Sequence, residues 1–326
     1  MHLFITGATG FFGKALLPYL HSIYQTSLPG LTATILSRNP AAFLRDNPLI
    51  GSYSWLQFRQ GDILDPTSFP SSVEFTHILH AATDSTAGPT LSPIQRFSQI
   101  VDGTRNLLDF ACDRRISRFL YISSGGVYGV QPSDMTRVAE DWPCSPDLSN
   151  PANAYGLAKR AAEHLCHLYA AAHGVEVVIA RCFAFVGPAL PLDAHFAIGN
   201  FIRDALSQPL ITVAGDGAAV RSYLDQSDLS LWLWTMLLKG SASEAYNVGS
   251  DQAITIAELA TLVRDLLAPE KEVHILGVTQ PTGSRSRYVP DITKARTKLG
   301  LDVQVSLAEA IVQTASSVQS SSPKWY

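Results

Sequence analysis

The sequence has little cysteine, little net charge and no long hydrophobic run. Its cysteines (Cys112, Cys144, Cys166 and Cys182) are far apart and form no C-x-x-C pair, which argues against a disulfide framework or a cysteine-based metal site. A net charge of -4 over 326 residues gives no reason to expect nucleic acid or an acidic membrane as a partner. No apolar run approaches the roughly 20 residues of a membrane helix, and the amino terminus lacks the basic start of a signal peptide. We therefore expect a cytoplasmic protein without a bound metal.

A glycine-rich turn near the amino terminus is the most informative stretch. Residues 1–13 read MHLFITGATGFFG, and the apolar residues that follow have helical spacing. Strand, tight turn and helix form the context that a dinucleotide needs, because glycine lets the backbone approach a pyrophosphate and the helix N-terminus supplies amides. The spacing is G-x-x-G-x-x-G. The residues predicted to contact the cofactor here are Gly7, Thr9, Gly10, Phe11, Phe12 and Gly13.

Strand and helix patterns then alternate, which predicts a Rossmann-type, doubly wound parallel sheet of the α/β class. The strand patterns are Leu31–Ser37, Trp55–Phe58, His77–Ala82, Arg118–Ser123 and Val175–Arg181, and helices are predicted over Gln99–Cys112 and from Ala154. We expect a dinucleotide-binding domain over residues 1–180, to which some later segments return. A smaller α/β domain over 181–316 is expected to bind substrate, and 317–326 is expected to be a flexible tail.

The ends of the early strands predict which cofactor binds. NAD-binding folds use an acidic residue after the second strand to bind the ribose hydroxyls, and this sequence has Ser37 and Arg38 there. That favours NADP slightly over NAD. Asp62, followed by Ile63, fits either an adenine contact or a turn cap. The small residues Ala81, Ala82 and Thr83 after the fourth strand would let the cofactor cross the sheet edge.

Three side chains predict proton transfer coupled to hydride transfer. Tyr155 and Lys159 are one helical turn apart, and Ser124 stands at the end of a strand about 30 residues earlier. An ammonium next to a phenol, together with the positive nicotinamide ring, should lower the phenol pKa from about 10. The serine hydroxyl can hydrogen-bond the same substrate oxygen. This set would move a proton between phenol and alcohol while hydride moves to or from nicotinamide.

These motifs together resemble those of the extended short-chain dehydrogenases/reductases, in the nucleotide-sugar epimerase/dehydratase family. The resemblance covers nearly the whole chain. It is carried by GATGFFG (Gly7–Gly13), SSGGVYG (Ser123–Gly129), YGLAK (Tyr155–Lys159), AGDGAAVRSYLDQSD (Ala214–Asp228) and RYVPDITKARTKLG (Arg287–Gly300), with shorter matches at Asp62–Ile63, His80–Ala82 and Tyr246–Ser250. The resemblance implies that Ser124, Tyr155 and Lys159 are catalytic, that Ser124, Gly125, Arg221 and Arg287 contact a nucleotide-sugar substrate, and that the protein is a homodimer.

Departures from the family pattern reduce the number of reactions that the protein is expected to catalyse. The resemblance places an Asp-Glu pair after the catalytic hydroxyl in 4,6-dehydratases and a glutamate in UDP-glucuronate decarboxylases, whereas this chain has Gly125 and Gly126. Both activities are therefore disfavoured. The expected function is reduction of a nucleotide-linked 4-keto-6-deoxy sugar by hydride transfer at C4. The alternative is a 4-epimerase with tightly bound NAD, and a more remote one is a non-catalytic NAD(P)-binding regulator.

Overall fold

The computed structural model describes residues 1–83, 91–194, 196–278 and 286–321. The strands in the described part are β1 (His2–Thr6), β2 (Thr32–Ser37), β3 (Leu56–Gln60), β4 (His77–His80), β5 (Arg118–Ser124), β6 (Glu176–Cys182), β7 (Phe185–Val186), β8 (Ile211–Val213), β9 (Val220–Arg221), β10 (Leu224–Asp225), β11 (Glu244–Val248), β12 (Ile254–Thr255), β13 (Val273–Ile275) and β14 (Arg287–Tyr288). The α-helices are α1 (Phe11–Ser27), α2 (Pro40–Asp46), α3 (Pro48–Gly51), α4 (Pro93–Asp113), α5 (Ala154–His173), α6 (Ala197–Ser207), α7 (Gln226–Lys239), α8 (Ile256–Leu267), α9 (Thr293–Leu299) and α10 (Leu307–Ser321).

The largest sheet of the described residues has seven strands in the order β3-β2-β1-β4-β5-β6-β11, and every neighbouring pair is parallel. The chain runs outward from β1 to β3, then returns and runs the other way from β4. This reversal between β1 and β4 opens a crevice at their carboxyl ends, where such sheets bind ligands. The predicted doubly wound parallel sheet is confirmed.

Alternating side chains of the sheet fill a separate core on each face. In β1, Leu3 and Ile5 pack with the apolar residues of α1 and α7, whereas Phe4 packs on the opposite face with those of α4 and α5. A period of two is what a strand buried on both faces produces. Both faces are therefore covered, and the carboxyl edge is left for the site.

The second half of the chain builds short sheets beyond that edge. β8 pairs with β13, β7 with β10, and β9 lies between β12 and β14. Helices α6, α8 and α10 pack together beside them, and β11 pairs with β6 at the edge of the main sheet.

One predicted boundary needs correction. Helix α4 begins at Pro93, not at residue 99, because Ser92 and Gln95 form a capping box around a proline in the first helical turn. The flexible tail expected over 317–326 stays a prediction. Residues 317–321 belong to α10, and residues 322–326 lie outside the described residues.

Candidate active site

The glycine turn between β1 and α1 is tightly packed on the end of β4. Gly7 has φ of +77°, and a Cβ there would lie 2.4 Å from the carbonyl carbon of Ala81. A Cβ on Gly13 would lie 1.9 Å from the carbonyl oxygen of Ala8. Gly10 begins α1 without a side-chain cap, and the first turn carries no acidic residue. The helix N-terminus therefore keeps amides and a partial positive charge for an anion.

A buried histidine joins the two strands at this crevice. His80 Nδ1 lies 2.8 Å from Thr6 Oγ1, and Nε2 lies 3.2 Å from Thr104 Oγ1. Because Thr104 donates to the Ile100 carbonyl, its oxygen accepts from Nε2–H, and the imidazole is neutral. Burial, with Lys159 nearby, lowers the His80 pKa to about 3. The imidazole is therefore part of the packing under the turn and carries no charge at neutral pH.

A cavity of about 640 Å³ lies between the carboxyl edge of the sheet and the C-terminal elements. Its polar side chains include Ser124, Tyr155, Lys159, Arg96 and Arg221, and its apolar wall combines phenylalanine with aliphatic side chains. Among the described residues that line the cavity, none is Asp, Glu or His. These residues thus offer hydroxyls and cations, but no carboxylic acid to protonate a leaving group.

The three predicted catalytic residues meet in this cavity. Ser124, at the end of β5, accepts a hydrogen bond from the Gly126 amide at 3.1 Å, and its hydroxyl acts to lower the pKa of Tyr155. Lys159 is 3% exposed and donates to the Ile122 carbonyl oxygen at 2.8 Å. Its Nζ lies 5.9 Å from the centroid of the Tyr155 ring. The cluster therefore combines a phenol, a hydroxyl and an ammonium.

The predicted lowering of the Tyr155 pKa by lysine needs correction for the protein alone. Burial raises the pKa of Tyr155, and the groups that oppose this rise are the Ser124 hydrogen bond and the charge of Arg96. Burial also lowers the pKa of Lys159 to about 8. Lys159 is not among the groups that lower the Tyr155 pKa, so spacing by one helical turn does not by itself acidify the phenol here.

A buried polar network lies behind the catalytic helix. Arg181 donates to both carboxylate oxygens of Glu163, the closest contact being 2.8 Å, and to Tyr128 Oη at 2.9 Å. Tyr128 in turn donates to Asn247 Oδ1 at 2.7 Å, so it belongs to this network and not to the cavity lining. The network connects α5 with β6 and β11, and it stabilises the helix that carries Tyr155.

The other predicted cofactor residues lie around the crevice. Phe11, Phe12, Ala81 and Thr83 line the cavity. Gly7, Thr9 and Gly10 form the adjoining turn, Gly13 lies in the first turn of α1, and Ala82 follows β4. Arg38 is exposed just beyond β2. The Asp62 carboxylate accepts from the Leu64 amide at 3.0 Å, which is the turn-capping alternative, and Ile63 packs against Gly103.

The predicted substrate residues are only partly brought together. Gly125 follows Ser124, and a Cβ there would lie 2.7 Å from the Phe183 ring. Arg221 lines the cavity and donates to the Val220 and Ser286 carbonyl oxygens. Arg287 is not among the lining residues, since the next residue of the same strand, Tyr288, faces the cavity.

Sequence reasoning missed two residues of the site. Arg96 lies with its guanidinium carbon 4.6 Å above the centroid of the Tyr155 ring, and the predicted start of α4 left it outside the helix. Tyr288 lines the cavity with Ser124, and its hydroxyl donates to the Cys182 carbonyl at 3.4 Å. In the sequence, the resemblance points to Arg287 and not to the tyrosine that follows it. Neighbouring residues of a strand face opposite sides, so alternation along β14 is the signal that Tyr288 could face the cavity instead.

Fold and site together define a Rossmann-type protein with the serine, tyrosine and lysine set of a short-chain dehydrogenase/reductase. The chain belongs to the NAD dependent epimerase/dehydratase family, whose model matches residues 3–249. The family predicted from the motifs is thus confirmed, and so is the prediction of an enzyme. In the described residues, no helix is long and apolar enough to cross a bilayer, and no group of three or more His, Cys, Asp or Glu is placed to hold a metal.

Individual relatives carry several activities in their names. The chain is 30% identical over 320 residues to UDP-glucuronic acid decarboxylase 6 of Arabidopsis thaliana, covering 95% of this chain and 87% of that protein. It is 25% identical to a dTDP-glucose 4,6-dehydratase of Streptomyces venezuelae solved with NAD, with a TM-score of 0.84 and 98% of each chain covered. The UDP-glucose 4-epimerase of Thermotoga maritima shares the fold, with a TM-score of 0.83 at 22% identity and coverage of 98% and 99%.

Proposed function

We propose that the protein is an NAD(P)-dependent oxidoreductase that transfers hydride at C4 of a nucleotide-linked sugar, and that it reduces a 4-keto-6-deoxy sugar. The observation that carries this proposal is the cavity lining. It contains Ser124, Tyr155 and Lys159, but no carboxylate among its described residues. Water elimination requires an acid for the leaving hydroxide, and glycines occupy positions 125 and 126. Carbonyl reduction requires only a proton donor and a hydride donor.

The described residues fit the cofactor. The free amides at the start of α1 suit its pyrophosphate, and the absence of a Cβ at Gly7 and Gly13 keeps that turn close to the sheet edge. Exposed Arg38 after β2 suits a 2′-phosphate, which favours NADP over NAD. When bound, the nicotinamide supplies the hydride.

Each catalytic side chain has a distinct task in the reduction. Ser124 donates a hydrogen bond to the C4 carbonyl oxygen and polarises it. Tyr155 gives its proton to that oxygen as the hydride reaches C4, so the ketone gains two electrons and two hydrogens and becomes an alcohol. Water then returns a proton to the phenolate. Lys159 holds the ribose of the cofactor and stabilises the phenolate.

Arg221 is proposed to bind the substrate diphosphate, because it is the arginine of the predicted pair that lines the cavity. A guanidinium matches two phosphate oxygens at once. The elements that surround it fall within residues 181–316, which we propose to be the main nucleotide-sugar-binding region. Arg287 is not assigned a contact.

We also propose a homodimer, located in the cytoplasm. The outer surface of α4 and α5, with the segment that precedes α5, exposes apolar side chains: Ile94 is 80%, Leu148 83% and Leu168 49% exposed. Surfaces of this kind mark protein–protein contacts. Sedimentation should show a dimer in the native protein and a monomer in Ile94→Lys, and an unchanged mass in the variant would argue against this surface.

The function is tested by identifying the cofactor and then following it through turnover. The purified protein is denatured and any released nucleotide is identified by mass. Protein freed of nucleotide is then mixed with NADPH and a dTDP-linked 4-keto-6-deoxy sugar. The proposal expects stoichiometric oxidation of NADPH and a sugar alcohol as product. Tightly retained NAD, together with interconversion of C4 epimers without net cofactor consumption, would identify the epimerase and refute the reductase.

A further inference from the structure

Arg96 faces the catalytic tyrosine from a helix that carries no other predicted catalytic residue. Its side chain leaves the first turns of α4 and lines the cavity, and its guanidinium carbon lies 4.6 Å over the Tyr155 ring. Stacking of a guanidinium on a phenol brings a delocalised charge against the π face of the ring, which attracts cations.

Among the described residues, no carboxylate forms an ion pair with Arg96. Its Nε is buried, and no described residue accepts a hydrogen bond from it. The described residues that line the cavity include no Asp or Glu, so Arg96, Lys159 and Arg221 face it together as cations. The guanidinium charge of Arg96 therefore acts on the ring of Tyr155, on which it stacks.

Several groups from the surrounding elements bear on the same phenol. Lys159 lies on the same helix, and its Nζ is 5.9 Å from the ring centroid. Strand β5 contributes the Ser124 hydroxyl and the buried Tyr121, and β14 contributes the Tyr288 hydroxyl. The Cys182 thiol, on β6, also lies near the Tyr155 phenol. Burial raises the pKa of Cys182 and of Tyr288, so both stay neutral. Arg96 is thus the cation whose charge centre lies closest to the ring among these groups.

We propose that Arg96 acts through Tyr155, stabilising its phenolate during proton transfer by the charge it stacks on the ring. The lysine one turn away keeps its charge at neutral pH, but its ammonium donates to the Ile122 carbonyl and lies farther from the ring. Both cations therefore act on the phenol, and Arg96 is the one that stacks more closely on the ring. This inference rests on the proposed function in one respect, namely that Tyr155 is the group that donates the proton.

The test is a pH titration of the tyrosine phenols in the whole, cofactor-free protein. Ionisation is monitored by difference absorbance in the near ultraviolet. Each curve is measured against the same protein carrying Tyr155→Phe, so that the remaining 10 of the 11 tyrosines cancel. In Arg96→Met the Tyr155 midpoint should move up by roughly 1 pH unit or more, because a cation at this distance lowers a neighbouring phenol's pKa by about 1–3. Arg96→Lys should restore most of the shift.

Arg105→Gln is the matched control, since Arg105 lies on the same helix but is half exposed and paired with Asp102. It should leave the curve unchanged. If the titration curve of Arg96→Met is the same as that of the native protein, the proposal is overturned. It is also overturned if the curve of Arg96→Lys coincides with that of Arg96→Met. Circular dichroism at each pH verifies that the chain is folded.

A second measurement uses turnover. Reduction needs the protonated phenol, so activity falls as pH rises through the Tyr155 pKa, and removing Arg96 should move this alkaline limb to higher pH. If the titration shifts but no nucleotide sugar is reduced, the proposed function fails and the role of Arg96 stands. If the sugar is reduced but the alkaline limb of the pH–activity profile does not move in Arg96→Met, the role of Arg96 is refuted and the proposed function stands.

Discussion

The ion pair behind the catalytic helix makes a quantitative stability prediction. Glu163 and Arg181 have side chains only 5% and 14% exposed, and Arg181 contacts both carboxylate oxygens. Glu163→Gln keeps the shape but removes the charge, which leaves the guanidinium buried without its counterion. Losing one partner of a buried pair costs about 3–5 kcal/mol. Because the amide keeps one acceptor oxygen for Arg181 and Ser123, we expect a loss near 3 kcal/mol, measured as the free energy of unfolding in urea.

Two further variants separate the buried pair from charge effects in general. Asp46→Asn removes the partner of Arg45, and both side chains there are more than 65% exposed. That change should alter stability by less than about 0.5 kcal/mol. Replacing both buried partners, as Glu163→Leu with Arg181→Met, should recover much of the loss, since neither charge is then left unpaired. A loss below about 1 kcal/mol in Glu163→Gln would refute the reasoning.

Three further predictions concern the turn, the cofactor and pH. Gly7→Ala should abolish cofactor binding and destabilise the fold, because its Cβ would lie 2.4 Å from the Ala81 carbonyl carbon. The control is Gly174→Ala, where φ is similar but the space is open, and it should lower the free energy of unfolding by only about 1 kcal/mol. Equal losses of unfolding free energy in the two variants would contradict this. Arg38→Asp should shift the kcat/KM preference from NADP toward NAD, with Arg45→Gln as the control, and an unmoved ratio would remove Arg38 from the cofactor site. The His80 pKa of about 3 means that the folded state stays unprotonated while the unfolded chain gains a proton below pH 6.5. Stability should therefore fall by up to about 1.4 kcal/mol for each pH unit between 6.5 and 3, and His80→Asn should flatten this slope in pH-dependent urea unfolding.

The parts of the fold that the sequence predicted are those with local signals. The glycine turn is specified by a strand, three glycines and a helix in succession, and alternating apolar patterns specify the parallel sheet. Tyr155 and Lys159 share a helix face because their spacing requires it. These features depend on neighbours within a few residues, so the sequence shows them directly.

The features that were missed depend on contacts between distant segments. Arg96 meets Tyr155 only because α4 packs against α5, and its place in a helix depends on the cap at Ser92. Tyr288 reaches Ser124 because β14 pairs with β9 beside the cavity. The lowered pKa of Lys159 comes from burial under β5, which no spacing rule reports.

Proton transfer from Tyr155 next to a bound nicotinamide is the central claim, and the substitution Tyr155→Phe tests it most directly. The measurement is single-turnover oxidation of NADPH by a nucleotide-linked 4-keto-6-deoxy sugar, with NADPH affinity measured separately by fluorescence. We expect the rate to fall by about 10²–10⁴-fold while the affinity for NADPH stays near that of the native protein. A rate that remains within a small factor of the native one would contradict the account.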